Sequence, residues 1–131
     1  MEDIVKEFNN TTIMCIDFLV SVTDDSDIKF YRKAVNTILM AEKNMGIEQY
    51  IIHCLPHEEH IINENKEFFI NMQKDQVKCE EENLIHILKL REWVMTLDED
   101  VISLLFNYFK LLCNFSKEYL KIKLKNVNLS I

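Results

Sequence analysis

Residues 98–121 read DEDVISLLFNYFKLLCNFSKEYLK, and Ile122 follows. Val101, Leu105, Tyr108, Leu112, Phe115, Tyr119 and Ile122 recur in steps of 4, 3, 4, 3, 4 and 3. That spacing is a helical seam. A second apolar line (Ile102, Phe106, Phe109, Cys113, Leu120) runs beside it. With Leu104 and Leu111 the apolar arc covers roughly 220° of a helical wheel. A helix this apolar needs cover on several sides. The pattern predicts a buried hub helix over Asp98–Lys121 and an all-α fold.

Composition supports the same class. The chain has 131 residues, 48% of them hydrophobic, with one Gly and one Pro. All-β and βαβ folds place turn glycines at their corners, and this chain has almost none. Phosphate-binding glycine loops are excluded on the same ground. The length suits one domain.

Working back toward the N-terminus, residues 3–22 show Ile4, Phe8, Cys15, Leu19 and Val22 at helical spacing, with weak helix formers at Asn9-Asn10-Thr11-Thr12. A cluster of capping residues, Thr23 to Asp27, precedes a helix over about 26–45. Gly46 falls where a helix C-terminus favours a left-handed residue. Ile47–Leu55 reads as a short apolar helix ended by Pro56. Residues 57–73 read as a helix with Ile61, Glu64, Phe68 and Met72 on one face. Residues 80–96 read as another, carrying the single Trp, Trp93. Thr96-Leu97-Asp98-Glu99 has the form of a capping box. The expected architecture is a compact bundle of five to six helices over residues 1–121. Beyond Lys121 the apolar residues alternate with polar ones (Ile122, Leu124; then Val127, Leu129, Ile131). This period of two predicts an extended arm over 122–131.

Charge is unevenly placed. The net charge is −7, but residues 1–100 carry 21 acids against 10 bases while residues 101–131 carry 1 acid against 5, giving −11 and +4. The acidic majority disfavours nucleic acid as a partner. The lysine strip Lys110, Lys117, Lys121, Lys123, Lys125 leaves weak nucleic-acid binding as an alternative. The acidic start Met1-Glu2-Asp3 is unlike a secretory n-region. Four scattered cysteines then read as reduced thiols in an intracellular, cytoplasmic protein. No apolar run reaches the ~18–20 residues of a membrane span.

One stretch suggests chemistry: His53-Cys54-Leu55-Pro56-His57-Glu58-Glu59-His60. Imidazole and thiolate are good ligands for Zn²⁺ or another transition metal, so His53, Cys54, His57 and His60 are candidate metal ligands. Their spacing departs from the H-E-x-x-H motif, and no C-x-x-C pair accompanies them. No nucleophile–base–oxyanion set is visible. The expectation is a non-enzymatic protein without cofactor, one that binds a protein partner or a second copy of itself. Its candidate partner-binding residues are Trp93, Lys110, Lys117, Lys121, Leu124, Val127 and Leu129.

Ile61-Ile62-Asn63-Glu64-Asn65-Lys66-Glu67-Phe68-Phe69-Ile70 precedes Leu88-Lys89-Leu90-Arg91-Glu92-Trp93 and the aromatic long helix. Over about residues 47–121 this resembles small, uncharacterised helical proteins of nucleocytoplasmic large DNA viruses. The resemblance implies an α-helical fold and a virus-encoded protein acting in the host cytoplasm or virion. It implies no activity.

Overall fold

A computed structural model describes residues 2–23, 26–68 and 96–129. Helices α1 (Glu2–Thr23), α2 (Ser26–Ala41), α3 (Met45–His53) and α4 (Glu58–Ile62) are followed by the long α5 (Glu99–Leu129). A 3₁₀ turn at Leu55–His57 joins α3 to α4. The architecture is an all-α bundle in which α5 packs against α1, α3 and α4. No strand occurs among the described residues. Trp93 and the helix expected over 80–96 lie outside them, apart from Thr96.

α1 is unbroken through its weak centre. The Thr12 hydroxyl donates to the Phe8 carbonyl at 3.0 Å, and Asn9 Nδ2 donates to the Lys43 carbonyl at 3.0 Å. These polar side chains tie α1 to itself and to the α2–α3 turn instead of competing with the helix. Asn9 meets Lys43 and Asp17 meets Arg32, so α1 and α2 are antiparallel.

Two clusters form the core. Val5 and Phe8 of α1, Ile47 of α3, and Leu112 and Tyr119 of α5 make the first; Ile61 of α4 with Ile102, Phe106 and Cys113 of α5 makes the second. Tyr50 and Phe109 pack against both clusters and join them. Tyr50 meets Phe8 edge-on at 5.5 Å, and its hydroxyl donates to the Phe109 carbonyl at 2.8 Å. The buried face of α5, from Tyr119 round to Phe106, spans roughly 140° of the wheel. It is narrower than the apolar arc, because Leu104 and Leu111 are exposed.

Four expectations need correction. The period of two after Lys121 does not produce an extended arm, since α5 runs to Leu129. Adding residues to an existing helix avoids the cost of nucleation. Lys121, Lys123, Leu124 and Lys125 are good helix formers, and Lys123 reaches Glu48 at 3.5 Å. At the other end, the Asp98 carbonyl accepts the Ile102 N–H at 3.0 Å, so Asp98 rather than Thr96 is the N-cap residue.

Gly46 does not end α2, which stops at Ala41. It lies in the first turn of α3, and its φ is not positive. Its role is close approach: a Cβ there would come within 2.8 Å of Leu39 Cδ2 and 3.4 Å of Phe8 Cε1. Gly46→Ala gains helix propensity of about 0.8–1 kcal/mol, offset by a shift of the Leu39 side-chain tip. Urea titration is expected to find that variant within about 1 kcal/mol of wild type, and Gly46→Leu destabilised by about 1–3 kcal/mol.

The helix expected over 57–73 is interrupted. Glu64 takes the left-handed conformation (φ 54°). The Glu64 N–H donates to the Ile61 carbonyl at 3.1 Å, and the Asn65 N–H to the His60 carbonyl at 2.9 Å. This is a Schellman C-cap, a position usually held by Gly. The Asn65 side chain then accepts the Phe68 N–H at 3.1 Å and caps a new helical turn over 66–68. Glu64→Gly and Glu64→Ala lose the same side-chain contacts, but only Gly escapes the left-handed penalty. Thermal melts should therefore place the Gly variant about 1 kcal/mol above the Ala variant in stability.

Candidate functional site

The histidine-bearing turn is built where α3 hands over to α4. Pro56 sits inside the 3₁₀ turn and changes the direction of the chain. The exposed His53 lies at the end of α3, with Nε2 3.2 Å from Gln49 Oε1. Cys54 points the other way and packs against the α4–α5 cluster. His57 and His60 turn to Phe68: the His60 ring stacks on it at 3.6 Å between centroids and 8° between planes, and His57 lies at 5.2 Å. Asn65 Nδ2 is 3.3 Å from His60 Nδ1. Among the described residues no three His, Cys, Asp or Glu side chains come together as a metal-binding group. The turn is instead packed as an aromatic cap over the break at Glu64.

Three thiols surround Tyr50. Cys113 Sγ is 3.4 Å from its hydroxyl, while Cys15 and Cys54 are near enough to act on it electrostatically. Burial pushes Cys15 up to about 12 and Cys54 up to about 11; Cys113 is also raised, mainly by burial. Burial likewise raises the Tyr50 hydroxyl. A nucleophilic cysteine requires the opposite shift, toward the thiolate. The consequence for stability is an alkaline one. Unfolded thiols ionise near pH 9, while folded Cys15 and Cys54 keep their protons to higher pH. Their contribution is complete below pH 9 and is lost as pH rises toward 11–12. Urea titrations across that window should show stability falling by up to about 1.4 kcal/mol per pH unit per thiol. Cys15→Ala/Cys54→Ala should flatten the slope.

The lysines of α5 face acids of the chain that runs back along it. Lys110 pairs with Glu64 at 3.0 Å, Lys117 with Glu58 at 2.7 Å, and Lys123 with Glu48 at 3.5 Å. Glu48 also accepts the Tyr119 hydroxyl at 3.1 Å. Lys123 lies 5.0 Å from the centre of the Tyr119 ring, in cation–π contact. Hydrogen bonds from Ser103 and then Lys110 hold the Glu64 carboxyl below the usual range. Exposed pairs of this kind are individually weak, screened by water and salt, so the ladder sets the register of α3–α4 on α5 more than it stabilises it. Two of the expected partner-binding residues, Lys110 and Lys117, are thus engaged within the chain. Lys121 and Leu124 are exposed, and Val127 and Leu129 lie within α5.

Two further surfaces lie among the described residues. An open groove of about 1130 Å³ separates the first half of α1 from the α2–α3 turn, lined by Asn9, Met40, Lys43, Met45 and others. It mixes both signs of charge with methionine side chains. The second surface follows the contact of α1 with α5. Phe18 and Tyr108 meet at 5.8 Å. Met14 and Val22 flank Phe18 one helical turn away on each side, and Leu104 and Leu111 flank Tyr108 in the same way. Leu104 and Leu111 are 49% and 46% exposed, Met14 57% and Val22 40%. Periodicity could not reveal this strip, because all six residues fit a core pattern equally well.

No protein-family model, curated protein or solved structure matches the chain. Among the described residues no helix is long and apolar enough to cross a membrane.

Proposed function

We propose that this chain is a non-enzymatic interaction or assembly protein that offers apolar helix faces to a protein partner. One observation carries the reading: large apolar side chains lie in solvent in an ordered line, Met14–Val22 on α1 and Leu104–Leu111 on α5. Single exposed hydrophobes are ordinary, but contiguous ones mark interaction surfaces. The geometry around the histidines gives the metal-binding alternative no support. Nucleic-acid binding through the α5 lysines has to compete with Glu48, Glu58 and Glu64 for three of the five. The resemblance over residues 47–121 adds a virus-encoded setting to the proposal.

The test is a photo-crosslinking residue placed at Leu104 or Leu111 in the full chain. Covalent capture of a polypeptide at these positions, and none from the exposed side of α1 at Glu7, is the expected outcome. An uncrosslinked protein both in pure solution and in its native cell would end the interaction reading.

A further inference from the structure

We infer that the partner of the α1–α5 apolar strip is a basic amphipathic helix of another protein, an apolar stripe flanked by Lys or Arg. The inference rests on the interaction reading above and names the chemistry of its occupant.

The charge that borders the strip is the reason. Asp100, Leu104, Leu111 and Glu118 follow one another in steps of 4, 7 and 7, so they lie on one line along α5. Asp100 and Glu118 are exposed, as are the two leucines between them. At 1.5 Å per residue the two acids stand about 27 Å apart. The bases within that interval, Lys110 and Lys117, pair with Glu64 and Glu58 on the α4 side of α5. On α1 the segment Met14–Val22 contains no Lys or Arg, and its one charged residue, Asp17, pairs with Arg32 of α2. The surface is therefore apolar in the middle and acidic at both ends.

A helix of three to four turns fits this arrangement. Its apolar stripe would lie on Leu104 and Leu111 with Met14 and Val22 as the side wall, the helix-in-groove mode of recognition. Lysine or arginine at its ends would keep their apolar stems on the strip while their charged heads met Asp100 and Glu118. Met14 adds an adaptable contact. A helix with acidic flanks would bring like charges together at both ends. A second copy of the chain fits no better, because an antiparallel pairing about Leu111 sets Leu104 against the exposed Glu118 of its neighbour.

Fluorescence anisotropy with the full chain tests this. The probes are two labelled peptides of roughly 14 residues, with the same leucines at i, i+3 and i+4 spacing, flanked in one by lysine and in the other by glutamate. The lysine peptide should bind below about 100 μM at roughly 50 mM salt, at least roughly tenfold tighter than its twin, and weaken toward roughly 500 mM. Leu104→Gln/Leu111→Gln, which leaves the charge unchanged, should weaken it at least roughly tenfold, with circular dichroism matching wild type because both leucines are half exposed. Asp100→Lys/Glu118→Lys should also cost roughly tenfold. Glu42→Lys/Glu59→Lys shifts the net charge equally at exposed positions away from the strip, and should stay within about twofold of wild type. Equal binding of the two peptides, or equal losses in the two charge variants, overturns the inference, as does a dimer that Leu104→Gln/Leu111→Gln dissolves. If the lysine peptide does not bind but a crosslinker at Leu111 captures a polypeptide, the basic helix fails and the interaction reading stands. If neither is seen, both fail.

Discussion

Phe8→Ala is expected to lower the unfolding free energy by about 3–5 kcal/mol, whereas Phe30→Ala changes it by less than about 0.5 kcal/mol. Phe8 is 2% exposed and Phe30 is 68% exposed. Phe8 fills the point where three helices meet, against Tyr50 edge-on and beside Gly46, with Ile47, Leu112 and Tyr119 in the same cluster. Removing its ring leaves a cavity that neither α3 nor α5 can close. Each is held by other contacts, through Glu48 to Tyr119 and through Tyr50 to Phe109. Against a typical total of about 5–15 kcal/mol, the loss is a large fraction of the whole. Urea titration with an unchanged m-value measures it. Equal effects at Phe8 and Phe30 would contradict the placement of both.

Ile61→Ala should cost about 2–5 kcal/mol, with a local signature. Helix α4 has five residues, far below the ~12–15 at which an isolated helix is even marginal in water. Ile61 is its only buried residue. It is packed among Ile102, Phe106 and Cys113. Without that anchor, α4 depends on the Lys117–Glu58 and Lys110–Glu64 pairs, which are exposed and weak. Hydrogen exchange should therefore speed most over residues 55–66 and less over α1. Uniform loss of protection would mean that α4 unfolds only together with the rest. The variant also tests the histidine turn, because His57 and His60 are placed by the same short helix.

The existence of α1, α2, α3 and α5 was legible along the chain, because apolar spacing is a local signal; their C-terminal ends were less so, since α2 stops at Ala41 and α5 continues to Leu129. Burial was less legible too. The apolar arc of α5 is continuous on the helical wheel, yet Ile102, Phe106 and Cys113 are covered while Leu104 and Leu111 at its edge are not. Spacing reports that a face is apolar, not which neighbour reaches it. The same limit applies to the lysines. Their partners Glu48, Glu58 and Glu64 lie 46 to 75 residues away, and no pattern in either segment announces the pairing. The surroundings of the histidines were hidden for a related reason. Their proximity in sequence suggested ligation, but the 3₁₀ turn at Pro56 and the stack on Phe68 point them apart from Cys54.

The sequence by itself determined the class. With one Gly, one Pro and a 3-4 apolar repeat, helices were the available solution. Only the tertiary structure decided what those helices do to each other. It turned Gly46 from a helix terminator into a contact point for Leu39, and Glu64 into the left-handed residue that breaks one helix and reaches another. It also extended α5 past Lys121 and left Leu104 and Leu111 in solvent. Periodicity is a property of neighbours three or four residues apart. Burial, strain and pairing depend on residues brought together from distant parts of the chain.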